Sequence, residues 1–107
     1  MKYFVSYTIR DKEITSDALD KYFHILKKYG DVFIDILHND SLNKQDRVFQ
    51  ELDKCDIFII LETENVYKSE WVLIEIERAI KLQKKIIKIP FDSVKESLSL
   101  PQSANLL

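Results

Sequence analysis

Short apolar runs alternate with amphipathic stretches along the chain, and this alternation lays out its elements. Phe4-Val5-Ser6-Tyr7 is rich in β-formers and gives way to the more polar Thr8-Ile9-Arg10-Asp11, which predicts a strand over 2–7. Leu19, Tyr22, Phe23 and Leu26 then recur at helical spacing behind two N-cap candidates, Thr15 and Ser16. Lys27 and Lys28 suit the negative end of the helix dipole, and Gly30 offers a left-handed stop, so this helix is expected over 16–29. Val32 to Leu37 reads as a second strand. After the mainly polar stretch from His38 to Asp46, Val48, Phe49 and Leu52 predict a helix over 43–54. Ile57-Phe58-Ile59-Ile60-Leu61 is apolar without interruption, the mark of a strand covered on both faces in a parallel sheet. A loop from Glu62 to Lys68 leads to a long helix from Ser69 to residue 84, and Ile86-Ile87-Lys88-Ile89-Pro90 gives a fourth strand. Residues 93–98 suggest one short helix, with a tail from Pro101.

The order β-α-β-α-β-α-β with short connections implies right-handed crossovers and a parallel sheet with helices on both faces. The expected architecture is an α/β, flavodoxin-like three-layer fold of about four strands in the order 2-1-3-4. One domain is expected over 1–92, with 93–107 as a short helix and tail packed on it. In such sheets ligands bind beyond the carboxyl ends of the strands, where the strand order reverses. That point lies between strands one and three, so Ser6 to Asp11 and Glu62 to Ser69 should line it.

Composition narrows the chemistry. Apolar residues make up 46% of the 107, enough for one core, and the 32% that are charged nearly cancel to a net −2. A dedicated nucleic-acid binder needs a basic face to release phosphate counterions, and this balance supplies none. The single cysteine, Cys55, cannot build a disulfide framework; it precedes a buried strand and reads as a small core residue. The opening Met1-Lys2-Tyr3 carries no signal-peptide pattern, and no apolar run reaches the ~20 residues that span a bilayer, so a cytoplasmic protein is expected, with no membrane partner. One glycine excludes a P-loop and a GxGxxG turn. His24, His38 and Cys55 have no metal-ligand spacing, so no metal is expected.

The third long helix carries an unusual carboxylate. On a wheel stepping about 100° per residue from Trp71, Val72, Ile76, Ala79 and Ile80 form the apolar face, and Glu70, Glu77 and Lys81 the wet one. Glu75 falls at about 40°, between the apolar stripe and the Trp71 edge. It lies in the second turn of a helix whose start points to the carboxyl edge of the sheet, which aims it at the switch-point crevice. Burial there would raise its pKa, and the helix N-terminus would oppose the rise. The plainer alternatives are a solvated glutamate, with Ser69 only an N-cap and Trp71 only packing. Asp35, at the end of strand two, reads as a loop-fixing residue rather than a catalyst.

Taken in order, four segments resemble the Toll/interleukin-1 receptor (TIR) family over residues 2–91. They are Phe4-Val5-Ser6-Tyr7 with Asp11, Val32-Phe33-Ile34-Asp35, Ile57-Phe58-Ile59-Ile60-Leu61, and Ser69-x-Trp71 with Glu75 four residues beyond the tryptophan. The resemblance implies a flavodoxin-like fold and an immune-type signalling or defence role. It also implies either an NAD⁺ nucleosidase, giving nicotinamide with ADP-ribose or a cyclic isomer, or a non-catalytic module that assembles through homotypic contacts. Glu75 matches the catalytic glutamate of the enzymes. Ser6, Tyr7, Thr8, Arg10, Ser69 and Trp71 match the nucleotide-binding positions, with NAD⁺ as substrate and no further cofactor. Family members often carry arginine where Thr8 stands, and Arg10 is the nearest substitute. They also continue through a fifth strand and helix, whereas only residues 92–107 follow Phe91 here. An apolar face left uncovered favours association with further copies, so a homo-oligomer is expected. A nucleoside 2-deoxyribosyltransferase-like enzyme, with glutamate as nucleophile, is a further alternative. A phosphorelay receiver would end strand three in aspartate, and this strand ends Leu61-Glu62.

Overall fold

A computed structural model of the chain describes residues 1–91. The strands β1 (Lys2–Ser6), β2 (Asp31–Ile34), β3 (Ile57–Glu62) and β4 (Lys85–Pro90) form one sheet in the order β2-β1-β3-β4. Every pairing is parallel: Phe4 lies opposite Phe33 and Phe58, and Ser6 opposite Ile60. The helices are α1 (Ser16–Lys27), α2 (Asp35–His38), α3 (Lys44–Lys54) and α4 (Glu70–Lys81), with a 3₁₀ turn at Val66–Lys68. The helix suggested at 93–98 and the proposed 93–107 segment lie outside the described residues. Among the described residues, no helix is long and apolar enough to cross a membrane.

The pleat of the sheet divides the core. Tyr3 and Val5 of β1 join Ile57, Ile59, Leu61, Ile87 and Ile89 under α1, which contributes Leu19, Tyr22 and Leu26. Phe4 points to the other face, where Phe58 and Ile60 meet Val48 and Leu52 of α3 and Val72 and Ala79 of α4. Because Phe4, Phe33 and Phe58 share one row of the register, their rings stack across three strands at 5.6 and 5.5 Å between centroids. Ser6 lies two residues beyond Phe4 and therefore faces α4 as well.

Side-chain caps start the three longer helices. Thr15 Oγ1 accepts from Ala18 N at 3.1 Å, Asn43 Oδ1 from Asp46 N at 3.2 Å, and Ser69 Oγ from Val72 N at 3.3 Å. Their ends depart from the sequence reading. The α1 helix closes at Lys28 in right-handed geometry, and Gly30 has no positive φ. A Cβ at Gly30 would stand 2.2 Å from Met1 O, so glycine is needed for close approach, beside the bond from Asp31 N to Met1 O. The left-handed stop belongs instead to Gln83, at φ 57°. Gln83 N donates to Ile80 O and Lys84 N to Ala79 O, a Schellman closure that ends α4 at Lys81 rather than at 84.

Two further expectations need correction. The second strand stops at Ile34 and turns into α2, because side chains take backbone donors at and just beyond its end: His38 Nδ1 accepts from Ile34 N at 2.9 Å and Tyr7 Oη from Ile36 N at 3.0 Å. Ile80 is 61% exposed rather than core. The buried stripe of α4 runs through Val72, Glu75 and Ala79, so its centre is rotated toward Glu75 and leaves Ile80 outside.

Candidate active site

Glu75 is only 4% exposed. The pleat brings Ser6 beneath it from β1, and Ser6 Oγ donates to Glu75 Oε1 at 2.7 Å across 69 residues of sequence. This charge-assisted bond lies at the carboxyl end of β1, where the order turns from β1–β2 to β1–β3. Burial raises the Glu75 carboxyl from 4.5 to about 7; the Ser6 hydroxyl opposes the rise, the Asp35 charge adds to it, and the Trp71 indole opposes it. The indole, one turn before Glu75, acts without a hydrogen bond of regular geometry.

A cavity of about 240 Å³ opens over this pair. Tyr7, Thr8, Ser69, Trp71 and Glu75 line it together with Phe4, Val5, Ile9 and Asp35. Of the positions expected from sequence, Ser6 joins through its bond to Glu75, and Tyr7, Thr8, Ser69 and Trp71 lie in the wall. Arg10 is exposed and outside the lining; its N–H donates to Thr8 Oγ1 at 3.2 Å. Tyr7 Oη accepts from Ile36 N and keeps its own proton, and burial pushes its pKa to about 12. Ser69 Oγ likewise accepts from Val72 N and retains a proton to donate.

Asp35 is the polar wall residue that sequence reasoning set aside. It begins α2, and Asn39 Nδ2 donates to its Oδ1 at 2.6 Å. The signal for it was available: an aspartate at the carboxyl end of β2 stands next to the β1 switch point.

The rim is tied from below. Asp11, 7% exposed, accepts from Asn65 N at 3.2 Å and Asn65 Nδ2 at 2.6 Å, joining the loop after β1 to the loop after β3. The Thr63 hydroxyl and these Asn65 donors hold the Asp11 carboxyl below the ordinary carboxylate range. The Asn65 contacts are the firm ones, because Thr63 Oγ1 has no regular hydrogen bond. A larger cavity, about 350 Å³, lies by β2 and starts from Lys2 and Asp31 at the amino ends of the strands. Its lining mixes Lys2, Arg47, Asp31 and Glu51, and it lies away from the edge where such sheets bind ligands.

The family model described as "Thoeris protein ThsB, TIR-like domain" matches residues 4–96. The chain belongs to this TIR-like family. That makes the domain a TIR-type defence or signalling module. No curated protein matches its sequence. Among solved structures, the CMP N-glycosidase BcmB of Clostridium botulinum is similar over 84% of this chain and 69% of its own, with 22% identity and a TM-score of 0.61. The 2-deoxyribosyltransferase of Bacillus psychrosaccharolyticus is similar over 84% of this chain and 72% of its own, at 16% identity and a TM-score of 0.64. At these identities the likeness is one of fold.

Proposed function

We propose that this TIR-like domain cleaves the nicotinamide–ribose bond of NAD⁺, giving nicotinamide and ADP-ribose or a cyclised isomer. One observation carries the reading: a buried carboxylate, Glu75, held by Ser6 in the wall of a cavity at the switch point of the sheet. The chemistry asks for little more. The pyridinium leaves as neutral nicotinamide with the electron pair of the C–N bond and needs no proton. The remaining ribosyl centre is oxocarbenium-like, and a desolvated carboxylate stabilises that positive charge. Water then adds at C1′ and loses a proton, or a hydroxyl of the same molecule does so and closes a ring.

A cavity of 240 Å³ is smaller than the roughly 300 Å³ at the low end of drug-sized sites. It suits the nicotinamide and its ribose, with the diphosphate and adenosine outside. Trp71 and Tyr7 offer aromatic walls, and Ser69 and Thr8 offer hydroxyls. Arg10, outside the wall, is assigned to the emerging phosphates. The two similar structures are named for a nucleotide N-glycosidase and a deoxyribosyl transferase, and both names concern bonds at a ribosyl centre.

The test is incubation of concentrated protein with NAD⁺, with and without crowding agents, and chromatography for nicotinamide. Release of nicotinamide is expected. Its absence under all conditions would reject the enzyme and leave the interaction module. Transfer of deoxyribose between nucleosides without NAD⁺ cleavage would establish the transferase alternative, which the second structural likeness favours. Self-association is part of the proposal: α4 leaves Leu73 47%, Ile74 45% and Ile80 61% exposed. Sedimentation at tens of micromolar should show assemblies, and a strictly monomeric profile would contradict this.

A further inference from the structure

The cavity wall brings together two carboxylates, Asp35 and Glu75, and two aromatic residues outside the core stack, Tyr7 and Trp71, with no lysine, arginine or histidine among its lining residues. Asp35 is not neutralised by a neighbour. It forms no ion pair among the described residues, and its hydrogen-bond partner, Asn39, is uncharged. Lys44 Nζ donates to Asn39 O at 2.7 Å and makes no ion pair with Asp35.

The placement of Asp35 is nonetheless braced. Asn39 is 8% exposed; its Nδ2 donates both to Asp35 Oδ1 and to Lys44 O at 3.0 Å, and its backbone N–H donates to Asp35 O at 2.9 Å. A half-buried carboxylate is thus fixed in the wall beside a second, deeply buried one. Like charges held together in a partly desolvated wall repel, and a bound cation relieves that repulsion. Aromatic faces add attraction for a flat cation.

We propose that Asp35 is a specificity-determining residue, which makes this cavity select a positively charged N-substituted pyridinium ring over a neutral ring of the same shape. The inference rests on the N-ribosyl reading of the site and names what that site recognises: the charge of the leaving group. Glu75 acts at the ribosyl centre, and Asp35 reads the ring. Neutral pyrimidine and purine nucleosides lack the feature that Asp35 recognises and should bind poorly.

The experiment uses the full chain and two small probes, the 1-methylnicotinamide cation and neutral nicotinamide, with dissociation constants measured by calorimetry or NMR titration. The wild type should prefer the cation. Asp35→Asn keeps an oxygen for Asn39 and removes the charge, so it should lower that preference about tenfold while nicotinamide binding stays level. Asp35→Glu, which keeps the charge, should retain most of the preference. An Asp35→Asn variant with unchanged preference, or a wild type that binds neither ring or both equally, would overturn the role of Asp35. The outcome is separable from the proposed reaction. Wild-type protein that prefers the cation but releases no nicotinamide from NAD⁺ would support Asp35 and reject the cleavage. Cleavage with unaltered ring preference in Asp35→Asn would reject Asp35 alone.

Discussion

Replacing Glu75 with glutamine removes a buried charge and keeps an oxygen to accept from Ser6. The carboxyl stands at about 7 in the folded chain, mainly through burial, against an ordinary value of 4.5. A folded value above the unfolded one means the folded state holds the proton more tightly. The stability this gives is fully present below about pH 4.5 and is lost as pH rises through about 7. The whole difference is worth about 3 kcal/mol, and about 2.5 kcal/mol of it disappears between roughly pH 5 and pH 8.5. Glutamine does not titrate, and every other group is shared by the two proteins. The stability of Glu75→Gln relative to wild type should therefore climb by about 2.5 kcal/mol over that range. For a domain of this size that corresponds to a relative gain in Tm of roughly 10–20 °C at the alkaline end. Thermal denaturation of both proteins in a series of buffers measures it. A Tm difference that stays flat from acid to alkaline pH would refute the reasoning, because it would mean Glu75 ionises as freely folded as unfolded.

Three smaller changes probe the supports of the site and of the sheet that carries it. Ser6→Ala removes the hydroxyl that lowers the Glu75 pKa, so the acidic limb of any activity profile should move to higher pH, read from rates across pH; an unmoved limb would contradict the Ser6–Glu75 coupling. Asp11→Ala frees Asn65, and amide exchange should quicken in the loop after β3 while the sheet stays protected; unchanged exchange at Asn65 would contradict the tie. Gly30→Ala drives a Cβ against Met1 O and should cost about 1–3 kcal/mol in denaturant melts, whereas a neutral result would show that the start of β1 yields without penalty.

The sheet was legible because burial leaves plain marks. The unbroken Ile57 to Leu61 run announces a strand covered on both sides, and the spacing of Leu19, Tyr22 and Leu26 announces the helix that covers it. Strand order then follows from connection rules, and it carries Glu75 to the β1 edge. Helix ends were less legible. Gly30 looked like a left-handed stop and is a close-approach position, while the left-handed stop fell to Gln83, a residue with no such preference. The end of β2 was hidden because side chains, Tyr7 from the end of β1 and His38 from α2, decide which backbone donors are free.

At the site, the wheel separated Glu75 from Glu70 and Glu77 but set the core face too far toward Ile80. Glu75 was counted as an edge residue, yet it is one of the three buried residues of α4. Asp35 was read as a loop-fixing residue because periodicity identifies which face a residue takes, and not which two loops meet across a sheet edge. Arg10 was assigned by nearness in sequence to Thr8, yet its side chain stands outside the wall.

Glu75 acting on the ribosyl centre of NAD⁺ is tested most directly by nicotinamide release from wild type and Glu75→Gln side by side, at one protein concentration and with both variants shown folded. Removing a transition-state charge contact of this kind costs on the order of 100-fold or more in rate. The wild type should release nicotinamide steadily and Glu75→Gln should fall by at least that factor. Equal rates in the two proteins would contradict the assignment of Glu75.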